Sequence, residues 1–124
     1  MPTSRRRLWL ALLGAALVGQ LVGLYAPSAP DMGAPAVPGA DKVAHVVMFA
    51  AVVLTALRAG LPPRWVLGLS LAHAVLSEVV QHELLPHRSG DLLDVVADVA
   101  GIVLGTLAAR ALSADERGRT GPAR

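Results

Sequence analysis

Apolar residues in this chain fall into four long runs, without the strict alternation of a half-buried strand or the polar flank of a soluble amphipathic helix. The first runs from Leu8 to Ala26 and is interrupted by one strongly polar side chain, Gln20. At a rise of about 1.5 Å per residue such a run crosses a hydrocarbon layer of ~30 Å. Trp9 and Tyr25 stand near its two ends, where amphipathic rings prefer the headgroup level. The segment from Pro27 to Ala40 holds Pro27, Pro30, Pro35 and Pro38 and is not helical throughout. A second run, Asp41 to Ala59, ends at Gly60-Leu61-Pro62-Pro63. A third, Trp65 to Leu85, turns polar in its last two turns and stops at Pro86, and a fourth covers Leu92 to Leu112. Residues 113–124 are polar, contain Gly118, Gly121 and Pro122, and are predicted to form a disordered tail.

Composition turns four apolar runs into a membrane protein. Of 124 residues, 54% are hydrophobic and 16% charged, with a mean hydropathy of +0.56. Soluble domains average about 25% charged residues. Aromatics make up 3%, so the apolar content is Ala, Leu, Val and Gly, which suits close helix packing in lipid. The second and third runs are marginal spans alone, but the four together leave little surface for water. The reading is therefore an all-α integral membrane four-helix bundle, one domain over residues 1–112, with the lipid bilayer as its first partner. The Arg5-Arg6-Arg7 start also fits a secretory signal, but the long run and the prolines beyond it favour an uncleaved first span. The chain has no cysteine, which excludes disulfides, thiolate chemistry and Cys-ligated metals. Its bases flank the apolar runs and build no aromatic-interleaved surface, so nucleic acid is not a partner.

Charge also orients the bundle. With four spans, the two ends and the Gly60–Arg64 loop share one side, which carries Arg5, Arg6, Arg7, Arg58, Arg64, Arg110, Arg117, Arg119 and Arg124. The other side has only Lys42 and Arg88, yet holds Asp31, Asp41, Glu78, Glu83, Asp91, Asp94 and Asp98. The net charges are +7 and −5. The positive-inside rule then places both termini in the cytoplasm (N-in/C-in) and the acids toward the outer face.

Three segments bring polar residues to that outer level: Asp41, Lys42 and His45 at the start of the second span, Glu78 and Gln81 at the end of the third, and Asp91, Asp94 and Asp98 on the fourth. Asp91, Asp94, Asp98, Gly101 and Gly105 are spaced 3, 4, 3 and 4 apart and form one helical stripe. Its lower half, Gly101-x-x-x-Gly105, admits a neighbouring helix at close range. Exposing an acid to lipid costs at least about 2.5–3.5 kcal/mol, so Asp94 and Asp98 should face inward and meet Glu78, Gln81, His45 and Lys42 or Arg88. Three readings follow: a structural polar network, a binding site for a polar envelope molecule, or metal- or acid-assisted catalysis on an envelope lipid through His45, Glu78, Asp94 and Asp98. No tight ligand signature such as His-Glu-x-x-His is present, so no metal ligand, catalytic residue or cofactor is assigned, and the sequence leaves open whether the chain is an enzyme. His73 lies mid-span and reads as a hydrogen-bonded packing residue, and Gln20 as a bond to a neighbouring helix.

The ordered set Asp41-Lys42-x-x-His45-x-x-x-Phe49, Glu78-x-x-Gln81 and Arg88-x-x-Asp91-x-x-Asp94-x-x-x-Asp98-x-x-Gly101-x-x-x-Gly105 resembles the VanZ-like family. The resemblance covers about Asp41 to Gly105 and fits four spans. The family commonly has Asn where this chain has Asp98, which adds a carboxylate here. The resemblance implies a bacterial inner-membrane protein, and the family's name comes from a member associated with low-level resistance to teicoplanin. It supplies no agreed reaction, substrate or cofactor, and the outer polar site itself points to an envelope lipid or a glycopeptide-like molecule as the class of partner.

Overall fold

A computed structural model describes residues 3–26, 38–85 and 92–120. Four helices make up the described chain: α1 Thr3–Tyr25, α2 Ala40–Arg58, α3 Pro63–Leu84 and α4 Leu92–Thr120. Bonds between their ends establish the up-down order. Arg6 at the start of α1 donates to the Ala59 carbonyl just past α2, at 3.3 Å, and Arg58 at the end of α2 meets Ser113 near the end of α4, at 2.7 Å. At the opposite end Gln81 Nε2, late in α3, donates to the Leu24 carbonyl of α1 at 2.8 Å.

The α2–α3 connection follows from local sequence. Gly60 takes φ +81°, and its N–H bonds to Leu57 O while that of Leu61 bonds to Ala56 O, at 3.1 Å each. This paired return is the Schellman closure, which favours glycine at the left-handed position. Pro62 and Pro63 follow, and Pro63 opens α3, where a missing N–H costs no helical bond.

Helix α4 runs to Thr120, through residues predicted to be a disordered tail. Ala111, Ala114, Glu116 and Arg117 are strong helix formers. Ser113 Oγ bonds back to Ala109 O at 2.9 Å, and Asp115 pairs with Arg119 one turn on at 3.3 Å. Glu116 is held by both Arg5 and Arg58, so the extension is tied to α1 and α2. Helix α1 likewise begins five residues before its apolar run, drawing Arg5, Arg6 and Arg7 into the helix.

The side chains are distributed inside out. Facing outward are Leu17, Val18, Leu21, Val43, Val47, Leu69, Leu71, Val75, Leu76, Val79, Val96, Val103 and Leu107, all exposed. Buried between the helices are Gln20, His45, Arg58, Ser70, Ser77, Glu78, Gln81, Asp94 and Asp98. In water this arrangement would expose apolar surface and desolvate charge at once; in a bilayer both costs reverse sign. Helices α1, α2 and α4 are long and apolar enough to cross a membrane. Helix α3 has 22 residues but carries His73, Ser77, Glu78, Gln81, His82 and Glu83, which leave it short of that apolarity. Its exposed face is nonetheless apolar: Leu69 and Val75 point outward while Ser70, Ala74, Ser77, Glu78 and Gln81 point in.

Helix α2 lies at the centre, packed most extensively on α4 and next on α1. The core is small: Phe49, Val53, Ala56, Leu24, Val66, Ala74 and Ile102. The α2–α4 approach is set by glycine. A methyl group on Gly101 would lie 2.5 Å from Val46 O, and one on Gly105 2.5 Å from Ala50 O and 3.0 Å from Ala50 Cα. These are backbone atoms, so a side chain could be accommodated only by moving α2. Gly105→Val is therefore expected to destabilise the bundle by about 1–3 kcal/mol, the usual range for overpacking, whereas Gly14→Ala, with nothing within 4 Å of the added methyl, should be near neutral. Thermal unfolding of the two variants in detergent, followed by size-exclusion chromatography, makes the comparison.

Candidate functional site

The close α2–α4 contact below brings two polar layers together above it. In the deeper layer His45 Nδ1 lies 2.8 Å from Asp98 Oδ1 and 3.9 Å from Glu78 Oε1. An ionised carboxylate can only accept, so the imidazole N–H donates to Asp98. Each residue comes from a different helix, α2, α3 and α4, and all three are buried, Asp98 completely. Phe49, one turn below His45, and Ile102, one turn below Asp98, close the floor with core side chains. Asp98 Oδ2 is buried and has no hydrogen-bond partner among the described residues.

The upper layer lies one turn nearer the end of the bundle. Lys42 Nζ bonds Asp94 Oδ1 at 2.7 Å and Asp41 Oδ2 at 3.1 Å. Asp94 is buried, whereas Lys42 and Asp41 reach the surface. Lys42 thus brings a half-exposed side chain's ammonium to a buried carboxylate.

Among the expected residues, Asp41, Lys42, Asp94, His45, Asp98 and Glu78 come together in these two layers. Gln81 departs from expectation. It is buried on the inner face of α3, but its amide turns to α1 and donates to Leu24 O, a carbonyl of the last helical turn. Gly101 and Gly105 pack against α2 rather than binding anything. Arg88 and Asp91 lie outside the described residues, as does Asp31.

Several polar contacts were not anticipated. Tyr25 OH and His73 Nε2 share a hydrogen bond at 2.9 Å, and the His73 ring also stands 5.7 Å from Phe49. Position 25 had read as an interfacial ring; its spacing from a mid-span histidine on another helix is invisible to any local pattern. Gln20 is buried, but its Nε2 lacks a partner among the described residues, in place of the expected bond to a neighbouring helix. It lines a cleft of about 450 Å³ between α1, α2 and α3, with Leu17, Val52, Val66, Ser70 and His73. At the basic end Arg58 is buried against Glu116 and Ser113, with its guanidinium 5.3 Å from the centre of the Trp9 ring. A lone arginine closing an apolar run was the signal for this cluster.

Apolar-faced helices around buried ionisable groups define a multi-pass membrane protein with an intramembrane polar site. The profile of the VanZ/LLP1 family matches residues 5–113, most of the chain, and the protein belongs to that family. No curated protein and no solved structure matches the chain.

The two hydrogen-bonded pairs of the site region should differ in energetic weight. His45→Ala removes the one ion-pair partner, among the described residues, of a fully buried carboxylate and is expected to cost about 3–5 kcal/mol. Tyr25→Phe removes one neutral hydrogen bond and should cost about 1 kcal/mol. Unfolding of both variants in the same detergent provides the ratio.

Proposed function

We propose that the protein is a four-span bacterial plasma-membrane protein whose outward-facing polar site binds the polar part of an envelope lipid or related envelope molecule. The observation that carries this reading is Asp98, a fully buried carboxylate with one oxygen unpartnered among the described residues, set beside His45 and Glu78 at the end of the bundle poor in bases. A network evolved only to hold helices together has every reason to satisfy such an atom, because each unmet buried acceptor weakens the fold. A site that exchanges a ligand keeps acceptors free for it.

Charge supports the orientation. Eight of the nine described bases lie at the end formed by the start of α1, the α2–α3 turn and the end of α4, which the positive-inside rule assigns to the cytoplasm. The site then opens toward the outer leaflet, with α3 crossing as the fourth span by virtue of its apolar outer face. Lys42, at the surface and bonded to buried Asp94, forms the rim that an approaching headgroup meets first. A ligand of this kind connects the protein to envelope integrity, and through it to sensitivity toward glycopeptide antibiotics that act there. The hydrogen bonds of Gln81 to α1 and of Tyr25 to His73 favour a second reading, a purely structural network.

Two measurements test the proposal. The absence of native cysteine permits single-cysteine labelling: a cysteine at Asp41 should react with an impermeant maleimide in intact cells, and one at Arg64 only after permeabilisation. The reverse pattern overturns the orientation. In a strain lacking the gene and screened for sensitivity to envelope-directed antibiotics, Glu78→Gln and Asp94→Asn should fail to restore the parental phenotype while accumulating as folded membrane protein. Full complementation by both would leave only the structural network.

A further inference from the structure

The deeper layer of the site has the makings of a cation centre. His45 Nδ1 and one carboxylate oxygen each of Glu78 and Asp98 lie within 4.8 Å of one another, and all three residues are buried. Ligand atoms bound tetrahedrally to one zinc ion at about 2.0–2.2 Å stand about 3.4 Å apart. Carboxylate movements of about 1.5 Å or less would therefore bring the three donors onto one ion. The donors come from three separate helices, the way bundle proteins build metal sites from facing side chains.

Two observations beyond the clustering point to a cation. The first is Asp98 Oδ2, a lone-pair-bearing oxygen with no exposure and no hydrogen-bond partner among the described residues. The second is charge. Asp98 brings a fully buried carboxylate into the site, and its ion pair among the described residues is to an imidazole alone. The nearest ammonium, Lys42, is bonded to Asp94 and Asp41 in the layer above, and no lysine or arginine among the described residues forms an ion pair with Asp98. A divalent ion offsets the Asp98 charge and leaves the imidazole neutral, the form in which it ligates.

We infer that His45, Glu78 and Asp98 together bind one divalent metal ion of the borderline class, with Zn²⁺ as the first candidate. The mixed nitrogen and oxygen donor set, free of thiolate, suits Zn²⁺ or Mn²⁺ and disfavours soft ions such as Cu(I). Three protein donors leave a coordination position free for an exogenous oxygen. The inference deepens the binding role proposed above, since a bound cation turns an anionic floor into one that accepts an anionic or carbonyl oxygen of a headgroup. It does not depend on that role, because cation binding is measured on the purified chain without any envelope ligand.

The full-length protein, purified in detergent without a histidine tag and dialysed against buffered Zn²⁺, should retain about one zinc per chain by elemental analysis, with a melting temperature raised above that of chelator-treated protein. His45→Gln and Asp98→Asn should each weaken Zn²⁺ binding at least about tenfold, the lower end of what even outer-shell losses cost a metal site. Lys42→Met, in the layer above, should retain the stoichiometry. Should either ligand variant fail to fold, the wild-type protein loaded with Co²⁺ still decides the matter: intense visible absorption of a four- or five-coordinate ion supports the site, and the weak spectrum of hydrated Co²⁺ overturns it. Folded wild-type protein with no retained zinc, or Asp98→Asn binding zinc as tightly as wild type, also overturns it. Either failure, with Glu78→Gln still losing the envelope phenotype, would remove the metal and leave the binding role standing.

Discussion

Water is missing from the interior of a bilayer, and that one constraint arranges this protein. Ionisable and amide side chains within the spans turn into the bundle, because lipid offers them no partner. The outward surfaces of the helices are accordingly Leu and Val, and the interior, where a soluble bundle would keep its largest apolar residues, holds His45, Glu78, Asp94 and Asp98. Phe49 is the single aromatic residue fully enclosed in the core. The packing force is then close approach of small residues rather than withdrawal of apolar surface from solvent, which explains how a chain so poor in aromatics forms a defined bundle.

Glycine spacing and polar chemistry are parts of one device. Gly101 and Gly105 bring the backbone of α4 onto Val46 and Ala50 of α2. On the same two helix faces, one turn toward the site end, stand His45 and Asp98, and one turn further Lys42 and Asp94. Two groups separated by 53 positions along the chain meet at 2.8 Å because the glycine contact permits no other depth of approach. The basic end is closed differently, by Arg58 and Arg5 converging on Glu116 beside Trp9. The bundle thus has ion pairs at both ends and a thin apolar core between them.

Much of this was legible in the sequence, for definite reasons. The four runs, the proline and glycine breaks, and the 3-4-3-4 stripe on α4 are local patterns that the helical period translates directly into faces. That Asp94 and Asp98 turn inward toward polar partners on the other helices follows from the cost of leaving an acid in lipid, but which acid takes His45 and which Lys42 does not. What local pattern cannot supply is the rotation of one helix relative to another. Gln81 shares its face with Glu78, yet its amide donates to the Leu24 carbonyl at the end of α1. The Tyr25–His73 bond and the burial of Arg58 arise in the same way, from helix pairs distant in sequence. Residues 113–120 are helical although their charge suggests solvation, because Glu116 is anchored by arginines from two other helices.

The glycine contact has a consequence for how such a chain tolerates change. Gly105 stands seven positions from Asp98, about 10.5 Å along the axis, and touches neither that carboxylate nor its imidazole. Sliding α4 by a single residue to relieve a new methyl there would turn the helix by about 100° and shift it by about 1.5 Å, swinging the acid out of reach of its partner. A substitution in the quietest, most apolar stretch of the fourth helix would therefore be read out first as a fault in the protein's chemistry.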